Sequence, residues 1–178
     1  MQSIADQLTD EQVVNGHDAC ELGYPWVTRE AIRFIDGIVQ ADFRVLECGA
    51  GGSTVYFAKK GCTVFSIESD AVWCNRVRGL LPGPQVVRLA VNDSFISILQ
   101  EFKDDSFDIV SVDSDPKLTN RFDLVNVAVP KVKKGGWLML DNYNTFGVEK
   151  FVTPEGWEVH KFDQAGWAGS GTAILRKR

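Results

Sequence analysis

The chain has 178 residues and a formal net charge of −5 at pH 7, with 44% hydrophobic and 24% charged residues. A chain of this length can bury a full core in one domain, and the composition is ordinary for a globular protein. The acidic balance argues against a nucleic-acid backbone as the main partner, because phosphate binding favours a basic surface. No apolar run approaches membrane-spanning length, so no membrane partner is expected.

The four cysteines show no C-x-x-C spacing, and most of them fall in apolar segments where they fit as small hydrophobic residues. The first residues lack the basic-then-apolar pattern of a secretory signal, and we therefore expect a cytoplasmic protein. Residues 1–25 are polar and weakly patterned, which predicts a short helix or an ordered arm over the functional site. Residues 26–178 are expected to form the core of the same single domain.

The first strong helical pattern follows Thr28, where apolar residues recur at helical spacing from 31 to 39. Residues 43–70 then carry the most informative stretch. An apolar run over 44–48 predicts a strand, the sequence Gly-Ala-Gly-Gly predicts a sharp turn, and Ser53 is a candidate N-cap for a helix. A second strand over 62–67 ends at Glu68. A strand–helix–strand unit this short indicates a right-handed parallel crossover, whose ligand lies at the carboxyl ends of the strands.

The residues at those strand ends suit a nucleoside cofactor. Glycines let a ligand approach the backbone, and an acidic residue such as Glu68 can accept hydrogen bonds from a ribose diol. The dinucleotide fingerprint G-x-G-x-x-G is incomplete, because Thr54 stands where its third glycine belongs. Glu47, two residues before the first glycine, favours a ligand that carries an ammonium group, held directly or through water.

The remaining pattern alternates strands and helices to the end of the chain. Helices are predicted after Asp70 or Ser69, after Ser94, and over about 119–129. Strands are predicted over 86–91, 107–112 and 137–140, with a closing pair over 157–162 and 171–175.

The stretch E-x-G-x-G-x-S at 47–53, with an acidic residue ending the second strand, resembles the class I S-adenosylmethionine-dependent methyltransferases. The resemblance covers nearly the whole chain. It implies an α/β, Rossmann-like three-layer sandwich with a mostly parallel seven-stranded sheet whose last strand is antiparallel. It also implies S-adenosylmethionine as the cofactor, with Asp93 at the adenine. The predicted cofactor-binding residues are Glu47, Gly49, Ala50, Gly51, Ser53, Glu68, Ser69, Asp93, Ser94 and Asp113. The sequence departs from the family between the fifth and sixth strands, where only 147–152 is available for a helix.

A weaker resemblance, to the catechol-type O-methyltransferases, concerns a metal. Those enzymes place an aspartate after the fourth strand and an Asp-Asn pair after the fifth, as Asp113, Asp141 and Asn142 are placed here. Such oxygen ligands suit Mg²⁺, which can lower the pKa of substrate hydroxyls. The family lysine is displaced by one residue, to Lys117. The alternative is that Asp113 lines the cofactor pocket while Asn142 and Tyr143 touch the acceptor without a metal; these three residues are the catalytic candidates.

Two other functions stay open. The stretch Asp113-Ser114-Asp115-Pro116 resembles a motif of the aminopropyltransferases, which use decarboxylated S-adenosylmethionine. A non-catalytic, cofactor-binding scaffold subunit would keep the glycine turn and Glu68 without turnover. On the leading hypothesis the partner is a small-molecule methyl acceptor, methylated at oxygen or nitrogen. The short segment 147–152 leaves a sheet face for a homodimer contact.

Overall fold

A single seven-stranded sheet organises the part of the chain that is described. The computed structural model describes residues 3–16, 18–83, 85–90, 94–117, 119–163 and 171–178. The strands are β1 (Arg44–Cys48), β2 (Thr63–Glu68), β3 (Val86–Leu89), β4 (Phe107–Val112), β5 (Val132–Asp141), β6 (Glu158–Asp163) and β7 (Gly171–Arg176).

The strand order is β3-β2-β1-β4-β5-β7-β6. β1 to β5 pair in parallel, and β7 runs antiparallel between β5 and β6. The predicted Rossmann-like α/β sheet with an antiparallel last strand is confirmed. The chain leaves β1 in one direction to build β2 and β3, and returns to the other side of β1 with β4. Ligands of such sheets bind beyond the carboxyl ends of the strands at this switch point.

Helices flank the sheet. They are α1 (Asp10–Asn15), α2 (Ala19–Leu22), α3 (Arg29–Ile38), α4 (Gly52–Lys59), α5 (Ala71–Leu80), α6 (Phe95–Gln100) and α7 (Arg121–Ala128). Short 3₁₀ turns span Ile4–Asp6, Val129–Lys131 and Val148–Lys150. No helix in these described ranges is long and apolar enough to cross a membrane.

The core lies in two layers, one on each face of the sheet. Because successive strand residues point to opposite faces, Val45 packs with Ile32 of α3, while Leu46 packs in the cluster that holds Leu124 of α7. All six residues of β4 are buried, as expected for a parallel strand covered on both faces. This arrangement is the predicted three-layer sandwich.

The glycine turn starts its helix earlier than the sequence predicts. α4 begins at Gly52 with Gly51 as its N-cap, so Ser53 lies inside the first helical turn. The Gly51 N–H donates to Thr54 Oγ1 at 2.9 Å, which closes that turn around Gly51. Thr28 does precede α3, but its side chain makes no capping hydrogen bond.

Other boundaries shift for tertiary reasons. β5 begins at Val132, because this residue pairs with Phe107 across an irregularity in the β4–β5 register. Between β5 and β6 the chain forms only the 3₁₀ turn, as the short segment predicts. Val148 of that turn is 2% exposed and packs into the core, so it covers part of the face that a full helix would cover.

Candidate functional site

A cavity of about 790 Å³ opens at the carboxyl ends of β1, β2 and β4. Its walls come from the glycine turn, the strand ends, α5 and the segment before α3. The lining residues are Gly16, Asp18, Ala19, Cys20, Glu21, Trp26, Gly49, Ala50, Gly51, Gly52, Ser53, Glu68, Asp70, Val72, Trp73, Arg76, Asp113, Asp115, Pro116 and Arg121. Its volume and position are those of a small-molecule site in an open α/β sheet.

The glycine turn is packed tightly on two sides and open on the third. Gly49 has a φ of 99°, and a Cβ there would collide with the Asp113 carbonyl oxygen. A Cβ on Gly52 would collide with the carbonyl oxygens of Ala19 and Tyr24. A Cβ on Gly51 would meet no atom within 4 Å. The turn therefore offers its backbone to a ligand at Gly51, where a side chain would fill the cradle.

The carboxylate of Glu68 holds the turn in place. It is 7% exposed, and its Oε2 accepts the Ala50 N–H at 3.0 Å. Its Oε1 accepts the N–H groups of Ser69 and Asp70 at 2.7 and 2.8 Å. Trp73 Nε1 donates to the Ala50 carbonyl at 2.6 Å, so both polar groups of one turn residue are held. Glu68 lines the cavity as predicted, but it also supports the backbone that forms the cavity.

Glu47 lies behind the turn and does not line the cavity. It is 1% exposed, and its Oε2 accepts the Ser66 hydroxyl at 2.6 Å. Burial raises the pKa of Glu47, and the hydroxyl groups around it oppose that effect. The sequence predicts a role for this carboxyl toward an ammonium group, directly or through water; the structure places it under the glycine turn.

Arg121, the first residue of α7, is 4% exposed and joins two strand ends. Its Nε donates to the Ser114 carbonyl at 2.5 Å, and its Nη2 pairs with Asp113 Oδ1 at 3.0 Å. Its Nη1 donates to the Asp141 carbonyl at 3.1 Å and to Asn142 Oδ1 at 2.8 Å. Arg121 is not among the site residues that the sequence pattern predicts. A signal exists, because a cation at a helix N-terminus faces the positive end of the helix dipole and needs anionic neighbours.

The predicted metal ligands are engaged by other partners. Asp113 and Asn142 both bind the Arg121 guanidinium, and Asp141 Oδ1 accepts the Thr172 hydroxyl at 3.2 Å. Burial and the neighbouring Asp113 charge raise the pKa of Asp141 well above its usual range. No group of three or more His, Cys, Asp or Glu residues in the described ranges is arranged to hold a metal. These residues do not fit Mg²⁺ in this arrangement, because the Arg121 guanidinium already binds the oxygens of Asp113 and Asn142.

Several other predicted residues lie off the cavity wall. Tyr143 donates from its hydroxyl to Asp163 Oδ1 at 3.0 Å. Asn142 faces Arg121, and Ser69 contributes its backbone N–H to Glu68. Ser94 precedes α6 as its N-cap residue. Asp93 lies outside the described residues. Of the predicted cofactor set, the structure therefore brings Gly49, Ala50, Gly51, Ser53, Glu68 and Asp113 together at the cavity.

The segment before α3, which the sequence predicts to be a short helix or an ordered arm over the functional site, forms one wall of the cavity. Trp26 lines the cavity at 49% exposure, and its Nε1 donates to the Val13 carbonyl at 3.1 Å. On the opposite wall, the Arg76 guanidinium lies 5.0 Å from the Trp73 ring centroid and forms an ion pair with Glu21. Trp73, in the first turn of α5, is 36% exposed and borders the cavity.

A second cavity, of about 520 Å³, adjoins the first. It is lined by Pro116, Lys117, Thr119, Asn120 and Phe146, and Pro116 borders both cavities. The Arg121 guanidinium lies 5.6 Å from the Phe146 ring centroid. Arg121 and Pro116 therefore lie between the large cavity at the glycine turn and a smaller cavity whose wall contains the basic Lys117 and the aromatic Phe146.

No protein-family model matches the chain, and no curated protein matches its sequence. Solved structures do match its fold. An O-methyltransferase from Bacillus cereus in complex with S-adenosylhomocysteine (SAH) is 18% identical with a TM-score of 0.68, over 98% of this chain and 95% of that one. The O-methyltransferase TomG from Streptomyces achromogenes, in complex with S-adenosylmethionine, is 17% identical with a TM-score of 0.59, over 96% and 90%.

A tRNA (m1A58) methyltransferase from Aquifex aeolicus also matches, at 13% identity and a TM-score of 0.60, over 90% of this chain and 75% of that one. At these identities the likeness concerns the fold. The chain has the fold of the class I S-adenosylmethionine-dependent methyltransferases. Because that fold serves enzymes with different acceptors, the acceptor must be argued from the site.

Proposed function

We propose that this chain is an S-adenosylmethionine-dependent methyltransferase that acts on a small-molecule acceptor at oxygen or nitrogen. The observation that carries the proposal is the cavity at the strand switch point, with a glycine turn open at Gly51 and the carboxylate of Glu68 beside it. The fold supports the same reaction, since solved structures with this fold include methyltransferases in complex with SAH and S-adenosylmethionine.

The residues fit the parts of this cofactor. The glycine turn would bind its amino-acid end through free N–H groups at the start of α4. Glu68 would accept a hydrogen bond from a ribose hydroxyl through Oε2, which accepts only the Ala50 N–H among the described residues, whereas Oε1 already accepts from Ser69 and Asp70. The adenine would lie toward Asp93. When bound, the cofactor supplies a methyl group on a sulfonium, and the protein must orient the acceptor toward it.

The acceptor would enter from the second cavity. Asp113, Asp115 and Pro116 line the first cavity, and Pro116 continues into the wall that holds Lys117 and Phe146. A flat molecule of modest size with an acidic group suits an aromatic and a basic wall.

One observation favours a second candidate. The carboxylates of Asp113 and Asp115 lie at the same cavity, as an aminopropyltransferase would need for a cationic amine. The Arg121 ion pair weakens this alternative, because it balances the Asp113 charge. Titration with decarboxylated S-adenosylmethionine separates the two, since a methyltransferase binds SAH in preference. A scaffold subunit would bind SAH and show no turnover with any acceptor.

The test is an isothermal titration of SAH into the protein, with NAD as the control ligand. The parent protein should bind SAH with micromolar affinity and should not bind NAD. Gly51→Val places a side chain in the open cradle, where a Cβ meets no protein atom, so we expect an affinity loss of about tenfold or more. Its cost to stability should be about 1 kcal/mol, because valine is a poorer N-cap than glycine. Gly79→Val in α5 is the matched control, because a Cβ there also meets nothing within 4 Å and the position lies off the cavity.

The outcomes are distinct. SAH binding that Gly51→Val reduces and Gly79→Val leaves unchanged supports the proposal. The proposal is contradicted if the parent protein does not bind SAH. It is also contradicted if the Gly51→Val variant binds SAH as tightly as the parent does.

A further inference from the structure

The surroundings of Arg121 have the composition of a cation site. Its guanidinium binds four oxygens: the Asp113 carboxylate, the Asn142 amide oxygen, and the backbone carbonyls of Ser114 and Asp141. Carboxylate, amide and backbone oxygens together are the ligands that hard divalent cations take in proteins. A single positive group therefore satisfies an oxygen cluster that could otherwise bind a metal.

The arrangement is internal and fixed. The Arg121 side chain is 5% exposed, and four of the five N–H groups of a guanidinium are used by those oxygens. The bonds join the chain beyond β4, the chain beyond β5 and the first residue of α7. An arginine whose only task was to neutralise Asp113 would not need two backbone carbonyls and an amide as well.

We infer that Arg121 is the resident cation of this site: its guanidinium occupies the position that the sequence pattern around Asp113, Asp141 and Asn142 assigns to Mg²⁺. Arg121 is thereby a positioning residue, since it sets the geometry of the two strand ends without a metal. On the proposed function, one consequence follows for the acceptor. It meets a fixed guanidinium at the cavity wall and needs no pair of adjacent hydroxyls for chelation.

The test follows Mn²⁺ binding by electron paramagnetic resonance and calorimetry, with neither cofactor nor acceptor present, so its outcome is independent of the SAH titration. The parent protein should show no Mn²⁺ binding that depends on Asp113 or Asp141. Arg121→Ala leaves four oxygens without a cation, and we expect its Mn²⁺ affinity to exceed that of the parent by about tenfold or more. Adding Asp113→Asn to this variant should remove the gain.

Arg88→Ala is the matched control. This arginine forms an ion pair with Glu101 at 2.5 Å on the surface, and its loss should leave Mn²⁺ binding at the parent level. If Arg121→Ala does not fold alone, it is refolded with millimolar Ca²⁺ and followed by circular dichroism. Recovery that depends on Ca²⁺ supports the inference.

Three results would overturn it. The first is that the parent protein binds Mn²⁺ and that Asp113→Asn or Asp141→Asn abolishes this binding. The second is a folded Arg121→Ala variant that gains no Mn²⁺. The third is an unfolded variant that Ca²⁺ does not restore. A merely structural arginine would lower stability on removal but would not create a metal site.

Discussion

The carboxyl of Glu47 shows how one residue can serve a ligand site without touching it. It is buried under the glycine turn, where its Oε2 accepts the Ser66 hydroxyl and its Oε1 has no hydrogen-bond partner among the described residues. An acidic residue in that environment is costly to ionise. The same carboxyl that the family motif presents as a signature is therefore a source of pH-dependent stability here.

We expect Glu47→Gln to gain stability relative to the parent as the pH rises from 5 to 8. Burial raises the pKa of Glu47 above its ordinary value of 4.5, so folding favours the protonated form. Its favourable contribution is complete below the unfolded pKa and is lost as the pH rises through the folded pKa. Glutamine keeps an oxygen for the Ser66 hydroxyl and has no charge to bury. Urea unfolding at several pH values measures the difference.

A stability difference that stays constant from pH 5 to pH 8, or that shrinks with rising pH, would contradict this reading of Glu47. Glu68→Gln is the comparison at the same cavity, because its carboxylate accepts three backbone N–H groups. That variant should lose stability, by about 1–3 kcal/mol.

Among the elements, the first turns of the chain depend on one aspartate of α3. Asp36 Oδ2 accepts the Ile4 N–H at 3.1 Å and the Ser3 hydroxyl, while its Oδ1 accepts from Tyr56 at 2.6 Å and pairs with Lys60 at 2.8 Å. Burial raises the pKa of Asp36, but the bonds from Lys60, Ser3 and Tyr56 outweigh it and hold the pKa below its ordinary value. The charged form thus fastens the start of the chain to α3 and α4.

We expect Asp36→Asn to loosen the segment before α3 and to destabilise the fold by about 1–3 kcal/mol, because an amide nitrogen would face several donors. Amide exchange of residues 4–13 should accelerate more than that of β4. Glu30→Gln on the same helix is the control: its ion pair with Arg33 is exposed, and its loss should cost less than about 0.5 kcal/mol. Equal exchange rates in the two variants would show that Asp36 does not fasten the segment.

The sequence predicts elements better than it predicts contacts between them. The strands and the glycine turn follow from local patterns, since alternation, apolar runs and glycines act within a few residues. The role of Arg121 depends on β5 ending beside β4, which no local pattern contains. Trp73 is a similar case: local spacing places it on a helix, but only the tertiary structure brings its indole to the Ala50 carbonyl and the cavity.

At the scale of the molecule, the candidate cavity joins two distant parts of the chain. The segment 16–26 forms one wall, and the ends of β1, β2 and β4 form the other. Gly52 is one contact between them, because its missing side chain admits the carbonyl oxygens of Ala19 and Tyr24. A ligand in this cavity would therefore stabilise both parts at once.

We expect SAH to slow amide exchange in two separated stretches, 18–26 and 49–53, and to raise the unfolding temperature as its concentration rises. Exchange in β6, on the far edge of the sheet, should not change beyond the general stabilisation. Hydrogen-exchange mass spectrometry measures all three. Protection confined to 49–53 would show that the segment before α3 does not take part in binding.

The strand order also constrains how the sheet can assemble. β6 has one neighbour in the sheet, β7, and β7 lies between it and β5. If the strands joined the sheet in chain order, β6 would have no strand to pair with until β7 had paired with β5. The two strands should therefore acquire amide protection together during refolding, and not before β7 has paired with β5. A refolding intermediate with an exposed β5 edge would be the species most exposed to association with another chain.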